Sequence, residues 1–131
     1  MPHTISGIDN LLSNPEKYLK GKTVGLIVNH TSLVSDGKHS IVHFKSHSNF
    51  TLQALFAPEH GLYGTAQDMI HISNEIDPLS GLEIKSLYGN SEDSLIPDPS
   101  SLQGIDNLVF DIQDVGSRYY TFIYTMANCM K

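Results

Sequence analysis

The 131-residue sequence contains a single cysteine, Cys129. That excludes an intrachain disulfide and a cysteine-rich zinc site, and the thiol is expected in the core. Basic residues are scarce: 8 Lys and Arg stand against 14 Asp and Glu, a formal charge of −6. Sequence-independent nucleic-acid binding needs a basic face to neutralise phosphates, and none is visible. No apolar run approaches the roughly 20 residues of a membrane-spanning helix. The first residues, "MPHTISGIDNLLSN", lack the basic and apolar regions of a signal peptide. Neither GxGxxG nor GxxxxGK[ST] occurs, so the phosphate cradles of dinucleotide-binding and P-loop proteins are missing and no cofactor is expected.

What is present is ordinary globular composition, 40% hydrophobic and 17% charged, in one domain-sized chain. A chain of this length buries roughly 65–70% of its unfolded surface. A short helix is predicted from residue 7, with Ile8, Leu11 and Leu12 at helical spacing and a restart at Pro15. "TVGLIVN" (23–29), "LQALFA" (52–57), "EIKSLYG" (83–89) and "NLVFDIQ" (107–113) read as strands. A helix over 36–47, capped by Asp36, separates the first two strands, and a short one around Ser100 to Gln103 precedes the fourth. In the last segment, 117–131, Tyr120, Ile123, Tyr124, Ala127 and Met130 share one helical face. Phe122, Met126 and Cys129 widen it, so that helix is expected to be buried nearly all round. The alternation predicts an α/β fold: a mostly parallel, Rossmann-like sheet with helices on both faces.

Each predicted strand ends in polar residues: Asn29-His30-Thr31, Glu59-His60-Gly61, Tyr88-Gly89, and Gln113-Asp114 running to Arg118. In a parallel sheet these ends share one edge, where ligands bind. Asp111 and Gln113 fall two apart in an apolar strand. A carboxylate there needs a partner, and Arg118 suits, either as a structural clamp or as part of a site. Glu59, at the mouth of an apolar stretch, has the position of a general acid, with His60 orienting it or binding substrate, or of a cap on a following helix. His39, His43 and His47 recur at i, i+4, i+8, but without an HExxH glutamate they read as a solvated face, and no metal is expected.

Four ordered stretches, "GLIVNHTSLVSDGKHSI", "ALFAPEHGLYG", "IDPLSGLEIKSLYG" and "LVFDIQDVGSRYYTFIYTM", resemble the N-terminal half of the exo-β-N-acetylmuramidase family, the DUF1343 domain. The resemblance implies a Rossmann-like N-terminal domain, here residues 1–131, that ends before a separate C-terminal domain and shares a cleft with it. It implies glycoside hydrolysis in peptidoglycan turnover, with N-acetylmuramic acid removed from non-reducing ends. By motif, Glu59 is the catalytic carboxylate with His60 beside it. Asn29, His30, Tyr88, Asp111, Gln113, Asp114, Arg118 and Tyr120 are expected to line the cleft. The implied partners are a muropeptide or disaccharide substrate and, for so short a chain, a separately encoded C-terminal half or a second copy. The family usually has Arg where this chain has Tyr63, Ala-Gly-Glu where it has Asp68-Met69-Ile70, and Tyr where it has Phe122.

Overall fold

A computed structural model describes residues 4–58, 61–64, 75–87, 96–117 and 119–131. In chain order the elements are α1 (Gly7–Ser13), α2 (Pro15–Tyr18), β1 (Thr23–Val28), α3 (Ser40–Ser46), β2 (Thr51–Ala57), β3 (Ile84–Ser86), a 3-10 turn (Pro99–Leu102), β4 (Asn107–Asp111) and α4 (Phe122–Cys129). The apolar, β-branched run Thr23–Val28 becomes the central strand, because only a strand covered on both faces can bury every residue from Val24 to Val28. The sheet order is β3-β2-β1-β4 and every pairing is parallel. The pairs Ile27↔Phe56, Ala57↔Ser86 and Val28↔Asp111 bring all four carboxyl ends to one edge.

Alternate side chains feed two cores. Val24, Leu26, Val28 and Leu55 pack with Ile8 of α1 and with Ile41 and Phe44 of α3. Ile27, Ala54 and Phe56 pack on the opposite face with Leu102, Leu108, Phe110 and Cys129. Each fully buried side chain of this kind contributes about 1.5–3 kcal/mol. Gly25 sits at a register shift in the β1–β2 pairing, where a Cβ would come within 2.7 Å of Leu108 Cδ2 and 2.9 Å of Phe56 Cε2. The second core closes over that glycine.

The helix starts have identifiable caps. Ser6 caps α1, accepting from Asp9 N at 3.2 Å while its hydroxyl donates to Asp9 Oδ2 at 2.6 Å. Pro15 opens α2, as its fixed φ and missing N–H favour. The helix expected over 36–47 is shorter, and its cap is His39 rather than Asp36: Nδ1 accepts from Ile41 N at 3.3 Å. Asp36 instead accepts from Lys38 N at 2.9 Å in the preceding turn.

α4 departs most from expectation. Only Phe122 and Thr125 are buried in it, while Ile123 is 49%, Tyr124 61% and the adjoining Met130 80% exposed. Its apolar residues encircle the helix, but the sheet covers one stripe, along Phe122, Thr125 and the half-buried Cys129. Among the described residues no helix is long and apolar enough to cross a membrane.

Candidate functional site

The chain runs from β1 through α3 to β2 on one side, whereas β4 joins β1 on its other side and leads into α4. α3 packs on one face of the sheet and α4 on the other. The loops leaving β1 and β4 therefore diverge, and such a switch point opens a crevice beyond the strand ends. A cavity of about 260 Å³ lies there, lined by Asn29, His30 and Thr31 after β1 and by Gln113, Val115, Tyr120 and Phe122 after β4. Tyr120 and Phe122 stack with ring centroids 5.7 Å apart. Four of the residues expected from the sequence, Asn29, His30, Gln113 and Tyr120, thus meet around one cavity.

The β1 side is rigidly built. Asn29 Oδ1 accepts from Thr31 N at 2.9 Å and from Thr31 Oγ1 at 2.7 Å, and Asn29 N donates to Ser32 Oγ at 3.1 Å. The Ser32 hydroxyl donates onward to the Asp111 carbonyl, tying the ends of β1 and β4 together. His39 Nε2 lies 2.8 Å from the Asn29 carbonyl. Because Nδ1 accepts the α3 cap bond, this network assigns the proton to Nε2, which donates. Ser32 and His39 hold the site without having stood out as such in sequence. The polar run Asn29 to Ser32 signalled a turn, and His39 was legible only as one of three spaced histidines. Those three have separate tasks: His39 caps, His43 Nε2 lies 3.2 Å from Asp36 Oδ1, and His47 stacks on Phe50. Among the described residues no three His, Cys, Asp or Glu side chains gather as a metal site would need.

The β2 side reaches the same place. Pro58 is fully buried, Gly61 N donates to Pro58 O at 3.1 Å, and Leu62 is buried in the first core. The Tyr63 hydroxyl donates to Asp77 Oδ1. Gly64, at φ +67°, abuts His30 so closely that a Cβ would stand 2.8 Å from Nδ1. Pro58 and the stretch Gly61–Gly64 are thus each held in place, and Gly64 touches a residue lining the cavity. Glu59, His60, Tyr88 and Arg118 themselves lie outside the described residues, and so does the pairing of Arg118 with Asp111.

Asp111 ends β4, so Gln113, expected in the same strand, is an exposed loop residue. Asp111 lines a second groove, of about 330 Å³, between β4 and α1; Gln113 borders both spaces. Burial pushes the Asp111 carboxyl above its ordinary value, with Ser40 and His39 opposing the rise. Asp111 Oδ2 and Ser40 Oγ are both buried and lack a hydrogen-bond partner among the described residues, so Ser40 tempers the shift from outside bonding geometry. Asp114 borders neither space; its carboxylate accepts from Gly116 N at 3.2 Å in an exposed turn.

A four-stranded parallel sheet with helices on both faces defines a Rossmann-like α/β domain, with a polar and aromatic cavity at its switch point. Residues 24–131 match the family described as exo-β-N-acetylmuramidase NamZ, N-terminal, and the chain belongs to that family. It is 43% identical over 130 residues to the peptidoglycan β-N-acetylmuramidase NamZ of Bacillus subtilis strain 168, which covers 99% of this chain and 31% of that protein. Two crystal structures of DUF1343 family proteins from Bacteroides fragilis are also similar. One has 38% identity and a TM-score of 0.81, covering 96% of this chain and 30% of its own. The other has 32% identity and a TM-score of 0.71, covering 98% and 31%. The chain thus spans about a third of the length of the relatives it matches.

Proposed function

We propose that this chain is the N-terminal, sugar-binding part of an exo-acting β-N-acetylmuramidase, releasing N-acetylmuramic acid from non-reducing ends of peptidoglycan fragments. The observation that carries the reading is the cavity at the β1 and β4 ends. There the stacked pair Tyr120 and Phe122 offers an apolar face to a sugar ring, and Asn29, His30 and Gln113 bring hydrogen-bonding groups. At about 260 Å³ it falls just below the usual range of small-molecule pockets, about 300–1,000 Å³, which suits one terminal sugar better than an extended glycan.

Glycoside cleavage needs an acid for the leaving oxygen and a second group that activates water or attacks the sugar. Glu59 is assigned the acid role, with His60 orienting it. For the second role Asp111, Asp114 or the substrate's own acetamido group are the candidates. Support for Glu59 comes from chain order: Gly64, which lies against His30, follows it closely in the sequence. The test, in a full-length relative, is release of N-acetylmuramic acid from a disaccharide glycoside, whose sugar leaving group needs protonation. Glu59→Gln should lower turnover by about 10²–10⁴-fold, the usual worth of general acid catalysis. Turnover close to wild type would remove Glu59 from the mechanism.

A second reading, a module that binds sugar and pairs with a separate C-terminal half, is favoured by the exposed apolar side chains of α4. Assaying the chain alone and with the remainder of a relative supplied in trans separates the two. Activity only with the second polypeptide supports the module, and activity of the chain alone supports the enzyme.

A further inference from the structure

We propose that His39 is a positioning residue whose hold on the cavity depends on a proton. Only the neutral imidazole clamps the Asn29 carbonyl and caps α3 at once, so a second ring proton releases the β1 wall. That the released wall costs ligand affinity rests on the function proposed above; the clamp itself does not.

The ring joins two elements through bonds of opposite sense. Nδ1 accepts from Ile41 N at 3.3 Å, while Nε2 donates to the Asn29 carbonyl at 2.8 Å. A protonated imidazole carries two donors and no acceptor. It would set one N–H against another at Ile41, and turning to relieve that takes Nε2 away from Asn29. The wall depends on this bond because Asn29 is its inner post. Asn29 is 3% exposed, and its carbonyl also accepts from Ser32 N at 3.1 Å. Its side chain holds Thr31, which lines the cavity beside it. Ser40 N donates to Ser32 O at 2.9 Å, and Leu33 bridges to His39. The stretch from Asn29 to Leu33 is thus closed against residues 39 and 40, with the His39 side chain spanning the closure.

Titratable groups approach from each neighbouring element. The β1 loop carries His30, and α1 carries Asp9, whose carboxylate is engaged by Ser6 and Ser35. The turn before α3 brings Asp36 and Lys38, 3.6 Å apart, and α3 brings His43, 3.2 Å from Asp36. From β4 comes Asp111, whose carboxyl a charged His39 draws down. Asp111 is the rival for control of the wall, because its carbonyl accepts from the Ser32 hydroxyl. A test of the clamp must separate the two.

The experiment uses the full 131-residue chain as wild type, His39→Asn and Asp111→Asn. Nitrogen NMR of the His39 ring, followed as pH is lowered, should first show the proton on Nε2 with Nδ1 bare. As the ring takes its second proton, the exchange protection of the Ser32 amide should fall about two- to tenfold, the worth of one neutral hydrogen bond. The midpoint should match that of the ring, and Leu26 and Leu55 amides in β1 and β2 should keep their protection. Asparagine caps helices well but is too short to reach the Asn29 carbonyl. His39→Asn should therefore keep Ile41 protected and leave Ser32 at the lower protection at every pH. In Asp111→Asn the Ser32 response should still follow the ring. Affinity for methyl β-N-acetylmuramide should fall over the same pH range in the wild type and lose that step in His39→Asn.

A proton on Nδ1 in the neutral ring overturns the clamp, and so does Ser32 protection that ignores the ring titration. A Ser32 response that disappears in Asp111→Asn gives the control to Asp111 and overturns it too. If His39→Asn does not fold, the wild-type titration decides alone, by whether Ser32 follows the ring. Ser32 following the ring while the glycoside binds equally at every pH overturns the claim that the clamp serves the cavity. No binding at any pH, with Ser32 still following the ring, supports the clamp and counts against the function proposed above, so either idea fails without the other.

Discussion

Gly64→Ala, measured beside Gly21→Ala, tests whether the β2 loop and the β1 loop form one wall. Both glycines adopt φ +67°, but a Cβ on Gly21 meets nothing within 4 Å. On Gly64 it would stand 2.8 Å from His30 Nδ1 and 3.1 Å from Cε1. Left-handed backbone costs an L-residue about 1–2 kcal/mol, and restricting the unfolded chain returns about 0.4–1 kcal/mol. Gly21→Ala should therefore destabilise by about 1 kcal/mol. Gly64→Ala carries the same backbone cost and must also displace His30. An exposed ring yields by leaving its rotamer, at about 0.5–1.5 kcal/mol, which brings the total to about 2 kcal/mol. In a His30→Ala background the excess should vanish, leaving a coupling of about 1 kcal/mol between positions 30 and 64. Urea unfolding followed by circular dichroism gives all four values. Because His30 lines the cavity, Gly64→Ala should also weaken binding of a β-N-acetylmuramide, and Gly21→Ala should not. Equal costs for the two glycines, or an excess that survives removal of His30, would refute contact between the loops.

Gly25→Ala should lower stability by about 1–3 kcal/mol through overpacking, since its Cβ would press on Leu108, Phe56 and Ile105; calorimetry would expose a looser core as an unchanged Tm. Ser32→Ala removes the group that accepts from Asn29 N and donates to the Asp111 carbonyl. Leaving that buried N–H unpaired costs about 1–3 kcal/mol, with faster exchange of the Asn29 amide as its signature. Two carboxylates shape the acid limb in opposite senses. Hydrogen bonds from Ser6 and Ser35 lower Asp9 to about 2. Its contribution is complete above the ordinary carboxylate value and is lost as pH falls from there through about 2, so Asp9→Asn should flatten that loss. Burial raises Asp111, so its penalty grows as pH climbs from the ordinary value of 3.8 through the folded one. Asp111→Asn should raise stability at neutral pH and abolish that slope, with urea midpoints between about pH 2 and pH 7 as the measurement.

The sheet was legible in the sequence because its signal is local. "TVGLIV" and "TLQALFA" are unbroken apolar runs, and a strand covered on two faces needs nothing else to be recognised. The meeting of Asn29, His30 and Gln113 followed from parallel topology alone, whereas Tyr120 was expected there only from the resemblance. α4 was misread for a physical reason: apolar residues on every side record what a helix could bury, not which stripe the sheet covers. Asp111 and Gln113 were placed on one face because period two was carried past the end of β4. The same limit explains the bonds that hold the candidate site. Ser32 reaches Asp111 across 79 residues, and Tyr63 reaches Asp77 across 14. Neither spacing has a helical or strand period, so no pattern within either segment announces its partner. "IDPLSG" was readable as a turn from Asp77-Pro78 and Ser80-Gly81, yet the turn's use is its buried carboxylate. Tyr63 stood out in the sequence only through the resemblance, which leads one to expect arginine there. Either side chain presents a donor to a buried acid, so the exchange can preserve the bond to Asp77 while changing its charge. Loss of that bond in Tyr63→Phe and its return in Tyr63→Arg, read as a lowered and then restored urea midpoint, would make that departure a substitution within one device. Failure of Tyr63→Arg to restore it would show that the tyrosine meets a geometric demand the guanidinium does not.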